Sequence, residues 1–170
     1  RGVMIGAVIS IVQLVHASAY PHVALLGQIP GTRRFSDSDR HPDNELIPGV
    51  MIFRPESSLV YFNIDNVSNL ILSRVLAAAS LPTLVVVDLS AAPHVDLQSA
   101  HALAAMADEL TAKGIRFQAV EERSSVRDRL RHEGIDQRLG GVNRFTSVAD
   151  VIDHFLNERQ KPRSDLNSVA

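Results

Sequence analysis

Residues 83–114, TLVVVDLSAAPHVDLQSAHALAAMADELTAKG, decide the fold of this chain, because they join a buried strand, a polar turn and a long amphipathic helix without interruption. Leu84, Val85, Val86 and Val87 form a continuous run of β-formers, the pattern of a strand covered on both faces in a helix-flanked sheet. Asp88 ends the run. Ser90, His94, Asp96, Leu97, Gln98 and Ser99 then surround the turn and the start of the next helix, where backbone N–H groups lack intrahelical partners and can receive an anion or a carboxylate. Leu97, Ala100, Leu103, Ala104, Ala107 and Leu110 recur at helical spacing, and Gly114 supplies the stop. Asp96 reads as the helix cap rather than as a base.

Working outward, Val50–Phe53 and Leu59–Phe62 read as two strands joined by RPESS, a connection short enough for an antiparallel hairpin. Val67, Leu70, Ile71, Val75, Leu76 and Ala79 mark a helix that Pro82 separates from the central strand. Downstream, Ile115–Val120 reads as a strand. Ser125 and Asp128 have capping-box spacing before a helix to about His132, and Gly134 closes it. Ser147 and Asp150 repeat the spacing before a last helix carrying Val148, Val151, Ile152, Phe155 and Leu156, with a short extended piece ahead of it. The expected class is α/β, a mixed sheet with helices chiefly on one face.

The expected organisation is a membrane-helix remnant over 1–20, a connector over 21–48, a domain over 49–158 and a disordered tail over 159–170. Gly2–Val15 is uncharged and almost wholly apolar, but fourteen helical residues reach only about 21 Å against a hydrocarbon core of about 30 Å. A signal peptide cleaved near Ala17-Ser18-Ala19 is the alternative. Residues 21–48 are punctuated by Pro21, Pro30, Gly31, Pro42 and Pro48 and read as a solvated connector, within which Arg33 and Arg34 are too few for a lipid-binding cluster.

Composition narrows the function. The chain has 170 residues, 45% of them hydrophobic, enough for one core. Its 17 basic and 19 acidic residues are interspersed, with no basic stripe to track a nucleic-acid backbone. With no cysteine there is no disulfide, thiolate metal site or cysteine nucleophile. Ser90, His94 and Asp96 have the residue types of a triad but no G-x-S-x-G elbow, and His94, Asp96 and His101 match no metal-ligand spacing. No catalytic, metal or cofactor site is assigned.

The series PHVALLGQIPGT, IPGVMIFRPESSLVYFN and DLSAAPHVD, followed by the long helix, resembles the STAS domains found in anti-sigma factor antagonists and in SulP-type (sulfate permease) anion transporters. The order of these segments is that of the transporter branch. The resemblance implies a noncatalytic cytoplasmic domain at the cell membrane, regulating the carriage of sulfate, a related oxyanion or bicarbonate. It makes the apolar N-terminus the trailing part of a last transmembrane helix. Implied partners are the protein's own transmembrane domain, a second protomer, a regulatory protein and guanine nucleotide. The alternative is a free-standing anti-sigma antagonist-like signalling protein. In that branch a phosphorylated Ser or Thr directly follows the second Asp of the motif; here Leu97 stands there, with no hydroxyl to accept a phosphate. The partner- or nucleotide-binding residues implied are Asp88, Ser90, His94, Asp96, Leu97, Gln98 and Ser99, and substitutions at Ser90 or Asp96 are expected to affect docking more than folding.

Overall fold

The computed structural model describes residues 2–143 and 146–160. It opens with helix α1 (Gly2–Ala19), followed by strands β1 (Val23–Gln28), β2 (Phe35–Asp37) and β3 (Val50–Pro55), helix α2 (Ile64–Leu76), strand β4 (Leu84–Asp88) and helix α3 (Leu97–Ala112). Strand β5 (Arg116–Val120), helix α4 (Ser124–His132), a 3-10 turn at Gln137–Leu139 and helix α5 (Val148–Gln160) complete it.

The five strands lie in the order β2-β1-β3-β4-β5. β3, β4 and β5 are parallel, with Val86 of β4 between Ile52 and Gln118, while β1 runs antiparallel to both β2 and β3. Successive parallel strands joined through α2 and α3 step across the sheet in one direction, which places both crossover helices on one face. There Phe53, Val85 and Val87 meet Ile71, Leu103 and Leu110 in the larger core, which α4 extends through Val126 and Leu130. The opposite face carries α5, whose Val148, Ile152 and Phe155 cover Ile52, Leu84 and Val86. Every residue of β4 is buried, as its unbroken apolar run requires.

Several expectations are corrected. Residues 21–48 do not form a solvated connector. They contain β1 and β2, and Val23, Ala24 and Leu26 are core residues. Arg33 is also engaged, reaching Asp153 of α5 at 2.5 Å and Asp150 at 3.4 Å. Nor do Leu59–Phe62 make a hairpin with β3. β1 occupies that edge of β3, and Leu59 keeps only a single parallel bridge to Val95. Asn63 folds the segment into a turn instead, its Oδ1 accepting the Val60 amide at 2.9 Å and its Nδ2 donating to the Ser58 carbonyl at 3.0 Å.

The helix ends divide. Ser147 and Asp150 cap each other's backbone, Asp150 N–H donating to Ser147 Oγ at 3.1 Å and Ser147 N–H to Asp150 Oδ2 at 3.3 Å. Ser125 does not cap α4, because the helix begins one residue earlier, with Arg123 at the cap. Gly114 stops α3 at φ 76°. Between the 3-10 turn and α5 none of the described residues forms a strand, and α5 extends through Gln160, so Arg159 belongs to the helix and bonds the Pro48 carbonyl at 3.0 Å. The rest of the expected tail, 161–170, lies outside the described residues.

Candidate functional site

The polar turn after β4 lies at the edge of the sheet where the three parallel strands end. Its first element is Asp88, a buried residue whose Oδ1 accepts the Ser90 amide at 2.8 Å and bends the chain away from the strand. Leu89 goes into the core and its amide bonds the Val120 carbonyl at 2.9 Å, which fixes the turn to β5. Ser90 and His94 are left exposed.

Asp96 is the centre of the arrangement. It caps α3, accepting the Ser99 amide on Oδ1 at 2.8 Å, and accepts the Tyr61 amide on Oδ2 at 2.7 Å. Burial alone would push its carboxyl upward, but the bonds from Ser99 and Tyr61 outweigh this and hold it below the ordinary carboxylate range. The backbone joins the same two segments: Leu59 N–H donates to the His94 carbonyl at 2.9 Å and Asp96 N–H to the Leu59 carbonyl at 3.1 Å.

The sequence-read residues therefore separate by exposure. Ser90, His94, Leu97 and Gln98 face outward; Leu97 is 44% exposed. Asp88 and Ser99 are buried, Ser99 completely, so they shape the turn from beneath and do not offer a contact surface. Asp96 is half-buried and already engaged on both oxygens. Its carboxylate sits on the free N–H groups of α3, which disfavours a second anion there.

Three further features of this edge escape a sequence reading. Exposed Tyr61 and Phe62 flank the turn, their rings edge-to-face with centroids 5.4 Å apart. Asn63 and Asn66 hold the end of α1: Asn63 Nδ2 donates to the Ser18 carbonyl at 3.3 Å and Asn66 Nδ2 to the Ala19 carbonyl at 2.8 Å. Two carbonyls that a helix end leaves unpaired are thus satisfied by the domain. The YFN triplet was the available signal, masked by its β-forming neighbours. Third, β5 is followed directly by Glu121, at φ 60°, and the buried Glu122. Burial is the main force raising the Glu122 carboxyl to about 7, and neither of its oxygens has a hydrogen-bond partner among the described residues.

No group of three His, Asp or Glu among the described residues is placed to hold a metal. The bond that Ser90 makes to Asp88 uses its amide, and gives its hydroxyl no base. A cavity of about 530 Å³ lies at the opposite edge, where Leu84, Arg116, Gln118, Arg138 and Phe155 line it. No residue of α1 is buried, and the helix is long and apolar enough to cross a membrane.

Residues 41–151 match the family model of the STAS domain. This chain belongs to the STAS-domain family. Among similar proteins, a probable sulfate transporter of Mycobacterium tuberculosis (strain H37Rv) is 25% identical over 91% of the chain and 28% of its own length. Sulfate transporter 2.1 of Arabidopsis thaliana is 27% identical over 89% of the chain and 24% of its own length. The chain thus spans about a quarter of the length of the curated relatives it matches. These relatives are named as transporters, not enzymes. The fold is shared with the murine Slc26a9 anion transporter in the inward-facing state, at a TM-score of 0.76 and 22% identity, over 92% of this chain and 25% of that one. It is shared also with the STAS domain of a Vibrio cholerae SulP transporter, at a TM-score of 0.57 and 16% identity, over 71% of this chain and 91% of that one. STAS membership and the mixed sheet agree with the reading of the sequence.

Proposed function

We propose that this chain is the cytoplasmic regulatory part of a SulP-like secondary anion transporter, with α1 as the helix by which it leaves the membrane. The observation that carries the reading is the extent of the match: about nine-tenths of the chain, beyond the STAS region itself, aligns with sulfate transporters. The apolar α1, with no buried residue, supports it, and so does the hold that Asn63 and Asn66 keep on the helix end. A cleaved signal peptide would have no use for that hold.

In this reading the domain does no chemistry. It biases the transporter's conformations through contacts that differ between states. The exposed part of the turn, Ser90, His94, Leu97 and Gln98, is the docking surface, on the same sheet edge from which α1 departs. Its partners are the transporter's own membrane domain and a second protomer, and its cargo is sulfate or a related oxyanion. A guanine nucleotide on the α3 N-terminus is disfavoured, because the Asp96 carboxylate already occupies it. An anti-sigma antagonist role is not favoured either, since exposed Leu97 offers no phosphoacceptor.

The test is sulfate uptake by cells producing the intact transporter that carries this chain, with Ser90→Ala, His94→Ala and Gln98→Ala combined. Reduced or deregulated uptake at unchanged membrane abundance is expected. Normal uptake with all three replaced would reject this turn as the regulatory surface.

A further inference from the structure

Large apolar side chains exposed near α1 are concentrated where that helix meets the domain. Tyr20 is 60% exposed, Tyr61 65% and Phe62 46%. Tyr20 continues α1, its amide bonding the His16 carbonyl at 3.0 Å, and its ring lies 4.9 Å from that of His16. Tyr61 and Phe62 immediately precede Asn63, which reaches the Ser18 carbonyl. The three rings therefore belong to one neighbourhood around the last turn of the helix.

The loop that presents them is held firmly. Leu59 is completely buried, Asn63 is 2% exposed and bonds on both sides, and Asp96 fixes the Tyr61 amide. A rigid loop that leaves two adjacent aromatic rings in the open keeps them for an environment other than water. The chemistry of that environment follows from α1. Its uncharged apolar run reaches Val15 and then gives way to His16, Ser18 and Tyr20, so the part of the helix suited to hydrocarbon ends there. Groups bonded to its last residues consequently fall at the level of the lipid headgroups, where amphipathic aromatic rings are preferred and a phenolic hydroxyl finds polar partners.

We infer that Tyr61 and Phe62, with Tyr20, rest in the headgroup layer of the bilayer that α1 enters, making the loop at residues 58–63 a lipid-facing contact of the domain. This rests on α1 spanning the membrane, and the experiment separates the two. The chain contains no tryptophan, so Tyr61→Trp introduces its sole indole at an exposed position. The full chain is reconstituted in phosphatidylcholine vesicles containing lipids brominated either near the headgroup or deep in the acyl chain. Val8→Trp reports on α1, and Leu81→Trp, exposed at the opposite edge of the sheet, reports on the solvent side.

The expected result is about twofold quenching of Tyr61→Trp by shallow bromines with less by deep ones, deep quenching of Val8→Trp, and none of Leu81→Trp. Unquenched Val8→Trp would overturn the membrane-spanning reading and the inference with it. Quenched Val8→Trp beside unquenched Tyr61→Trp would overturn the inference alone, and would leave a protein surface as the cover for the loop. Circular dichroism of each variant confirms that a lost signal does not come from unfolding.

Discussion

Asp96 accepts the backbone N–H of Tyr61 at 2.7 Å across 35 residues of sequence. The same carboxylate caps α3, so one side chain ties the polar turn to the loop that holds α1. The expectation that Asp96 serves docking more than folding is therefore amended. Asp96→Ala removes a cap and strands the Tyr61 amide, a loss of about 2 kcal/mol, or roughly 5 °C in Tm. Asp96→Asn keeps an acceptor for only one of the two amides and should fall between. Ser90→Ala, at an exposed position, should leave Tm unchanged. Thermal melts of the three variants check the order.

Glu122 gives the domain a pH-dependent stability. Its carboxyl is raised from an ordinary value of 4.5 to about 7 in the folded protein, mainly by burial. Between these values the folded state holds a proton that the unfolded state has released, so stability falls as pH rises through this window. Glu122→Gln removes the ionising group. It should stabilise the domain by about 2–3 kcal/mol at pH 8 and change little at pH 4. An equal effect at both pH values would show that the side chain is not titrating in place. Denaturant unfolding at the two pH values makes the measurement.

Val86 is completely buried between two parallel neighbours, with helices over both faces. Val86→Asp places a carboxylate where no partner can reach it, a penalty of several kcal/mol that should abolish the cooperative melt. A melt like that of the parent protein would refute the central position of β4.

Asn66 joins the domain to α1 through one bond, to the Ala19 carbonyl at 2.8 Å. Asn66→Ala should cost about 1 kcal/mol or less in the melt of the domain, yet, on the proposed function, alter sulfate uptake by the intact transporter. Asn63→Ala should do both, because Asn63 also shapes the turn at residues 58–63. Uptake unaffected by either change would show that the hold on the helix end does not transmit regulation.

The parts of this structure that follow from local rules were readable in the sequence. The Leu84–Val87 run, the helical spacing from Leu97 to Leu110, Gly114 and the Ser147–Asp150 box each carry their own signal within a few residues. What could not be read depends on distant pairing. VALLGQ is strand β1 because β3 offers it an antiparallel edge some thirty residues later, and the surrounding prolines and polar residues made it look like part of a connector. Leu59–Phe62 have strand propensity, but that edge is already filled, and the side chain of Asn63 supplies the alternative hydrogen bonds. The outward face of the turn was legible as a patch of polar residues. The inward roles of Asp88 and Ser99, and the second bond of Asp96, required the fold.

Only residues 20–22 separate the end of α1 from the start of β1, and little slack is available in them. Pro21 restricts the backbone, and His22 is clasped to the buried Asp37 at 3.0 Å. A helix fixed so closely at its base acts as a lever. Tilting it by about 10° would sweep a point about 27 Å from that base through about 5 Å. The reaction at the fulcrum falls on β1, which is paired on both sides by β2 and β3, and so on the sheet itself rather than on a loop. Lengthening this junction with a few glycines would disengage the lever while leaving both arms folded.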